Sequence, residues 1–278
     1  MSRYPALFER LERAGEGAFV PFVMLGDPTP EASFEIIRAL IEGGADALEL
    51  GIPFSDPVAD GPTIQAAHIR ALDAHVDVDT ALALVRRIRD TWPELPIGLL
   101  IYGNVAFARG LEDFYAAVAK AGADSVLLPD IPVREGADFI AAAKKAGVDP
   151  IFIAPPHASA ATLAGVARHS RGYIYAVSRV GVTGAEVASS TDGLSEVVGH
   201  LKSFGGAPAL LGFGISTPEH VAAAIRAGAA GAISGSAITA QIEQHCRGSH
   251  PQPREVADLP ALTAQLRSFA ANMKAATR

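Results

Sequence analysis

Short apolar runs alternate along the chain with Ala-rich segments in which apolar residues recur at helical spacing. A glycine recurs between a helical segment and the next apolar run, at Gly44, Gly122, Gly147 and Gly228. Glycine after a helix end is a C-cap signal, and the branched run that follows is short enough for a buried strand. Repeated helix–strand units of this kind predict a parallel sheet covered by helices.

Eight apolar runs fit strands, over residues 19–25, 46–50, 96–102, 124–129, 149–154, 172–178, 208–213 and 230–234. The helical segments cover residues 30–43, 62–73, 78–91, 111–121, 135–146, 160–169, 192–204, 218–227 and 256–274. With an extra amphipathic helix at the N-terminus, the pattern predicts a single α/β domain over residues 1–278, a (β/α)8 TIM barrel. The alternative is an open doubly wound sheet, but no strand opens the G-x-G-x-x-G turn typical of that fold.

Two connections are longer than the others, residues 52–61 after the second strand and residues 179–191 after the sixth. In a barrel both lie on the C-terminal face, where active sites form. The second of these is rich in glycine and hydroxyl residues, which favours a lid that closes over the site. Segment 246–255 is polar and contains proline, and it fits a loop before the last helix.

One acidic residue stands inside an otherwise apolar strand. Because side chains alternate along a strand, Leu48 and Leu50 suit the helix-facing side and Glu49 the barrel interior. A carboxylate in an apolar interior either takes up a proton or is retained for chemistry. A structural Glu held by a backbone group or an Arg is the alternative, but a position at the C-terminal end of a barrel strand favours function.

The same alternation places an apolar, partly aromatic cup near the strand ends. Its members are Phe22, Leu100, Tyr102, Leu127, Ile153 and Tyr175. Each residue alone fits a protein core. Together with an inward carboxylate they predict a pocket for a flat apolar group.

Glycine and serine residues end the last two predicted strands, in "GFGIST" and "ISGSAI". Glycine lets the backbone approach a ligand closely, and N–H groups at a helix start favour phosphate. Barrels often bind phosphate after their seventh and eighth strands, so these turns predict an anion site that Thr183 and Gly184 of the sixth loop could join. Ordinary tight turns are the alternative.

Composition and charge exclude several classes of function. The net charge of −7 disfavours a nucleic-acid surface, and the single cysteine, Cys246, cannot form an internal disulfide. The N-terminus lacks the pattern of a signal peptide, and no apolar stretch approaches the roughly 20 residues of a membrane span. We therefore expect a soluble, cytoplasmic protein.

The distribution of lysine and histidine narrows the chemistry further. None of the five lysines stands at the C-terminal end of a predicted strand, so a Schiff-base nucleophile is not expected. The eight histidines are scattered, and only His157 follows a strand, so no metal site is expected. What remains is acid–base chemistry by carboxylates, without metal or cofactor, on a substrate with a phosphate at one end and an apolar ring at the other.

Seven motifs of the chain match one known family in order: "PFVMLGDP", "LELGIPFSDPVADGP", "YGNVAF", "LLPDIP", "SRVGVTGAE", "GFGIST" and "AGAAGAISGSAI". Over nearly its whole length the chain thus resembles the tryptophan synthase alpha chain family. The resemblance implies a lyase of tryptophan biosynthesis that cleaves indole-3-glycerol phosphate to indole and glyceraldehyde 3-phosphate by a retro-aldol step. It also implies an α2β2 tetramer in which indole passes to a beta chain that carries pyridoxal phosphate.

The resemblance also implies a role for each matching residue. Glu49 would be the proton-transferring acid/base, and Asp60 would accept the indole N–H and stabilise positive charge on the ring. The apolar cup would hold the indole, and the phosphate would bind Thr183, Gly184, Phe213, Gly214, Gly235 and Ser236. The beta chain would contact Pro53, Asp56 and Pro57.

This sequence departs from the family pattern at a few positions. Met24 and Pro129 stand where Thr and a small residue are expected, Ala66 and His68 replace asparagines, and segment 246–255 is longer. Three alternatives stay open. The first is a lyase that needs no partner. The second is a catalytically silent or regulatory phosphate-binding partner, which would lack one of the two carboxylates. The third is an indole-glycerol-phosphate synthase, which would require an inward lysine.

Overall fold

The computed structural model describes residues 2–177 and 193–278 of the chain. Its parallel sheet has the order β5-β4-β3-β2-β1-β9-β8-β7-β6. The strands are β1 Ala18–Met24, β2 Leu48–Gly51, β3 Ile97–Leu100, β4 Ser125–Leu127, β5 Asp149–Ile151, β6 Ile153–Ala154, β7 Ile174–Val177, β8 Ala209–Gly212 and β9 Gly231–Ser234. All eight predicted strands are present, each in parallel register with its neighbours.

The fifth predicted strand is divided at Phe152 into β5 and β6. Its first half pairs with β4, where Leu127 lies opposite Ile151, and its second half pairs with β7, where Ile153 lies opposite Tyr175. The same stretch of chain therefore joins the two ends of the sheet, and eight strand positions complete a TIM barrel. The open-sheet alternative is wrong because such a sheet keeps two unpaired edges.

Twelve helices surround the sheet in the part of the chain that the structure describes. They are α1 Tyr4–Ala14, α2 Pro30–Glu42, α3 Pro62–Asp73, α4 Val78–Thr91, α5 Gly103–Arg109, α6 Leu111–Ala121, α7 Ala137–Ala146, α8 Ala160–His169, α9 Leu194–Ser203, α10 Pro218–Arg226, α11 Ser236–His245 and α12 Leu259–Ala275. The glycine punctuation is confirmed at Gly122 and Gly147, which take left-handed φ values of 93° and 73° as helix C-caps.

Two helices, α5 and α11, were not predicted from the sequence. Neither has a side-chain N-cap, and α11 begins inside the Gly-Ser turn that we interpreted as an anion site. The last helix begins at Leu259 rather than at residue 256. Glu255–Val256 forms a short antiparallel ladder with Cys246–Arg247, which closes the predicted loop at its base.

The extra N-terminal helix is confirmed, and its first residue fills the N-terminal end of the barrel. Tyr4 is buried, its hydroxyl lies 2.9 Å from the Ser125 hydroxyl, and its ring centroid lies 5.3 Å from that of Tyr173. Gly98 makes room for this packing, because an added Cβ would lie 2.8 Å from the Ser125 hydroxyl and 3.0 Å from the Tyr4 hydroxyl. The interior is therefore filled at this end, and the cavity lies at the other.

Candidate active site

A cavity lies at the C-terminal ends of the barrel strands. Its walls come from β1, β2, β3, β7 and β9, from the connections after β2, β8 and β9, and from the first turns of α3 and α11. The lining residues are Phe22, Glu49, Asp60, Ile64, Leu100, Tyr175, Phe213, Gly214, Ile215, Ile233, Gly235, Ser236 and Ala237. Both predicted carboxylates therefore face one mainly apolar chamber.

Glu49 is almost completely buried, with 1% of its surface exposed, in the middle of β2. Its neighbours Leu48 and Leu50 face away from it, as the alternation predicted. Oε1 accepts a hydrogen bond of 2.6 Å from the Tyr173 hydroxyl, and Oε2 has no partner among the described residues. Burial raises the pKa of Glu49 to about 7, although the Tyr173 hydrogen bond lowers it. A carboxyl with this pKa can both give and take a proton near neutral pH.

The tyrosines beside Glu49 stay protonated. Burial raises the pKa of Tyr173 and of Tyr175 well above the ordinary value, and the nearby Glu49 charge acts in the same direction. Tyr173 therefore donates its hydroxyl proton to the carboxylate. Tyr175, one side-chain alternation further along β7, reaches the cavity itself and packs against the Phe213 ring at a centroid distance of 6.0 Å.

Asp60 ends the connection after β2 and is also buried, with 6% of its surface exposed. Gln65 donates a 2.7 Å hydrogen bond to its backbone carbonyl. Tyr102 donates a 2.8 Å hydrogen bond to Oδ2, and His68 Nε2 lies 3.3 Å from the same oxygen. Burial and the Asp60 charge raise the pKa of Tyr102, so its hydroxyl stays a donor. The carboxylate is thus held against the cavity by side chains from α3 and from the end of β3.

The predicted apolar cup is only partly assembled around this cavity. Phe22, Leu100 and Tyr175 line it, together with Ile64 and Ile233, which were not predicted. The other three predicted members lie elsewhere. Tyr102 binds Asp60, Leu127 is buried between Leu100 and Ile151 in the sheet, and Ile153 borders a second cavity with Pro129, Phe152 and Pro155.

The Gly-Ser turns form one wall of the cavity. Phe213 and Gly214 follow β8, Gly235 follows β9, and Ser236 and Ala237 begin α11. The first N–H groups of a helix have no partner within that helix, so the start of α11 is suited to an anion. Among the other serines of these turns, Ser234 donates instead to the Ile215 carbonyl at 2.6 Å and Ser216 lies 3.3 Å from the His220 ring.

Backbone geometry keeps this wall close to the aromatic residues. Phe213 takes a left-handed φ of 66°, which is uncommon for a residue with a side chain. At Gly212 an added Cβ would lie 2.1 Å from the Tyr175 hydroxyl oxygen. Thr183 and Gly184, the two remaining residues predicted for the phosphate, lie outside the described residues, as does the predicted lid.

The three residues predicted to meet a partner lie in the connection between β2 and α3, with different exposure. Asp56 is exposed, Pro57 is partly exposed and Pro53 is buried in the single chain. Val58 in the same connection is 75% exposed, and Phe107 on α5 is 59% exposed. The connection after β2 and the helix after β3 therefore each expose a large apolar side chain.

Tyr173 and His68 each contact a carboxylate, and no role was predicted for either from the sequence. For Tyr173 a signal existed, because the alternation that places Tyr175 inside the barrel places Tyr173 inside too. No such sequence signal existed for His68, because its partners lie in the connection between β2 and α3, whose path the sequence does not specify. Residues 2–177 and 193–278 contain no group of three or more His, Cys, Asp or Glu able to hold a metal ion, and no helix long and apolar enough to cross a membrane.

The fold and the cavity define a class, the TIM-barrel proteins with carboxylates and a Gly-Ser anion turn at the C-terminal face. Comparison with known sequences specifies the family. The family model described as the tryptophan synthase alpha chain matches residues 8–275. The chain belongs to the tryptophan synthase alpha chain family.

Individual relatives agree with this assignment. The tryptophan synthase alpha chain of Corynebacterium diphtheriae is 66% identical over 278 residues, covering 100% of both chains. That of Aliivibrio fischeri strain MJ11 is 52% identical with the same coverage. Among solved structures, Mycobacterium tuberculosis tryptophan synthase has a TM-score of 0.85 at 30% identity, covering 100% of this chain and 98% of that one. The alpha subunit from Legionella pneumophila has a TM-score of 0.85 at 31% identity with the same coverage.

Proposed function

We propose that the cavity between the strand ends is where this chain cleaves indole-3-glycerol phosphate to indole and glyceraldehyde 3-phosphate, the reaction of its family. The observation that carries the proposal is the buried Glu49 carboxyl, with a pKa raised to about 7, facing the same chamber as Asp60 and the Gly235–Ser236 turn. The chamber has apolar lining at Phe22, Leu100 and Tyr175 and a Gly-Ser turn at Gly235 and Ser236, which suits a substrate with an apolar end and an anionic end. Two carboxylates and no lysine at the strand ends fit proton transfer rather than imine chemistry.

Glu49 performs the two proton transfers of the retro-aldol step. In its acid form it gives a proton to ring carbon 3 of the indole, which turns the ring into an electron acceptor. The bond between carbon 3 and the glycerol chain then breaks, its electron pair restores the ring, and the glycerol hydroxyl becomes the aldehyde. The carboxylate of Glu49 takes the hydroxyl proton, so the residue returns to its acid form and no proton is gained or lost overall.

Asp60 stabilises the protonated indole ring that forms during this reaction. Protonation of the ring places positive charge on the indole nitrogen, and an N–H that carries positive charge binds a carboxylate more strongly. A carboxylate that is already oriented by Tyr102 stabilises this charge without having to reorganise. Asp60 therefore acts on the intermediate more than on the bound substrate, which is the condition for raising the rate.

The two ends of the substrate are held by different walls. Phe22, Leu100 and Tyr175 contact the indole, and the backbone around Gly214, Gly235 and Ser236 binds the phosphate with Phe213. Thr183 and Gly184 complete the phosphate site from the sixth connection. The residues at the start of α11 suit this role because helix N-termini favour phosphate.

The chain works as a single domain of residues 1–278, in the cytoplasm, and needs no cofactor of its own. Its partner is the tryptophan synthase beta chain, which carries the pyridoxal phosphate, in an α2β2 tetramer. The connection with Pro53, Asp56 and Pro57 faces that partner. The exposed Val58 and Phe107 favour this assembly over a lyase that works alone, because apolar side chains of this size are covered at interfaces.

Turnover of indole-3-glycerol phosphate with and without a cognate beta chain tests the proposal. We expect indole release from the chain alone, an increase when the beta chain is added, and a complex by light scattering. Full turnover without any complex would support the stand-alone lyase instead. Absence of indole in both conditions would contradict the proposed function.

A further inference from the structure

His68 lies on α3, and only 3% of its surface is exposed. Both of its ring nitrogens face the connection between β2 and α3. Nδ1 lies 2.9 Å from the Phe54 backbone nitrogen, which donates to it. Nε2 lies 3.3 Å from Oδ2 of Asp60. One side chain therefore contacts both the beginning and the end of the same connection.

The first contact determines where the imidazole proton is. A backbone N–H can only donate, so Nδ1 must be the unprotonated, accepting nitrogen of a neutral ring. The proton is then on Nε2, which faces the Asp60 carboxylate and donates to it. The Phe54 N–H thus selects the tautomer in which Nε2 of His68 donates to Asp60.

Tyr102 completes a closed set of contacts with these residues. Its hydroxyl donates to the same Oδ2 of Asp60 at 2.8 Å and accepts from the Ala59 backbone nitrogen at 3.0 Å. Its ring stacks on Phe54 at a centroid distance of 5.3 Å and lies 6.3 Å from the His68 ring. Among the described residues, Asp60 therefore accepts from the side chains of His68 and Tyr102, and each of these contacts a backbone N–H of the connection between β2 and α3.

We propose that His68 is a positioning residue for the Asp60 carboxylate, and that it acts only as the neutral Nε2–H form imposed by the Phe54 amide. The inference rests on the proposed role of Asp60 in catalysis. Each donor to a carboxylate restricts rotation about its side-chain bonds, so the Nε2–H of His68 adds to the restraint that the Tyr102 hydroxyl provides. Since Asp60 acts on charge that develops during the reaction, loss of its orientation should lower kcat more than it changes KM.

Two substitutions separate the two contacts of the ring. In His68→Asn the amide oxygen can replace Nδ1 toward Phe54, but no donor reaches the place of Nε2. In His68→Gln the amide nitrogen can replace the Nε2 donor toward Asp60, but the acceptor toward Phe54 is displaced. His250→Gln is the matched control. The His250 Nδ1 lies 2.9 Å from Oδ1 of Asp73, an aspartate on α3, and His250 does not line the cavity.

The expected result is a loss of kcat for indole release of about tenfold or more in His68→Asn, with KM within about threefold of wild type. His68→Gln and His250→Gln should keep kcat within about threefold of wild type. Equal kcat in all variants, or equal losses in both His68 variants, would overturn the proposal, because the proposal requires the donor toward Asp60 to decide kcat. Failure of wild type and His250→Gln to release indole would instead contradict the proposed function.

A spectroscopic measurement tests the tautomer without reference to activity. In the full-length chain labelled with ¹⁵N-histidine, with the His68 signals assigned from the His68→Gln spectrum, we expect a protonated Nε2 and a hydrogen-bonded, unprotonated Nδ1 at about pH 8. A proton on Nδ1 would overturn the proposal even if the variants lost activity.

Discussion

The Tyr173 hydroxyl donates a 2.6 Å hydrogen bond to Oε1 of Glu49 across the barrel interior. Glu49 lies on β2 and Tyr173 immediately precedes β7, and these two strands are not neighbours in the sheet. The contact stabilises the ionised form of Glu49, whereas burial favours the neutral form, and burial is the larger effect. The balance of the two leaves a carboxyl that titrates near neutral pH.

The stability of the protein should therefore depend on pH through Glu49. Because its folded pKa of about 7 exceeds the ordinary value of 4.5, the folded state binds more protons in this interval, and the free energy of unfolding falls as pH rises through it. Glu49→Gln removes the buried charge, so at about pH 8 we expect the variant to be more stable than wild type by up to about 3 kcal/mol. Urea unfolding at about pH 4 and about pH 8 checks this, with the gain expected only at the higher pH.

Glu219→Gln is the contrasting control for this experiment. The pKa of Glu219 is lowered by its hydrogen bond with Thr217, so removing its charge should bring no gain at the higher pH. A gain in Glu49→Gln that is equal at both pH values would show that burial of the charge is not its cause.

The pH dependence of the reaction should shift when the Tyr173 hydroxyl is removed. In the proposed mechanism the acid form of Glu49 starts the reaction, so kcat/KM of wild type should fall as pH rises through about 7. Tyr173→Phe removes a hydrogen bond that lowers the pKa of Glu49, so the pKa rises further and the fall should move to higher pH. Rate profiles of indole release for both proteins check this, and a shift toward lower pH would contradict it.

The wall between β8 and β7 should tolerate no side chain at Gly212. An added Cβ would lie 2.1 Å from the Tyr175 hydroxyl oxygen and within 2.3 Å of two ring carbons. Tyr175 is buried and cannot move without displacing Phe213, so Gly212→Ala should destabilise the fold by about 1–3 kcal/mol and weaken substrate binding. Unfolding measurements and the KM for indole-3-glycerol phosphate check both effects.

Gly199 offers a matched control for that substitution. It lies inside helix α9, and an added Cβ would meet nothing within 4 Å. Gly199→Ala should therefore stabilise the protein by about 1 kcal/mol through helix propensity alone. Similar free energies of unfolding for the two alanine variants would show that the contact with Tyr175 does not prevent a side chain at position 212.

The sequence predicted those features that depend on local alternation. Glu49 was placed inside the barrel because its two neighbours are leucines, and Tyr175 was placed in the cavity by the same argument. Helix ends marked by glycine were also predicted closely, as at Gly122 and Gly147. These signals lie within a few residues of the feature that they predict, so no knowledge of the fold was needed.

Features that depend on contacts between distant segments were not predictable in the same way. Tyr102 was expected in the apolar cup, yet it holds Asp60, because the connection after β2 returns over the end of β3. Helix α11 was missed because its first residues carry a Gly-Ser turn and no N-cap side chain. The division of the fifth strand at Phe152 follows from barrel closure, which is a property of the whole sheet.

The central claim is that Glu49 carries the proton transfers, and indole release by Glu49→Gln tests it most directly. Gln keeps the size of the side chain but can neither give nor take a proton in the required range. With the variant shown to be folded by circular dichroism, we expect kcat/KM for indole-3-glycerol phosphate to fall by about a hundredfold or more. Turnover within about threefold of wild type would contradict the account.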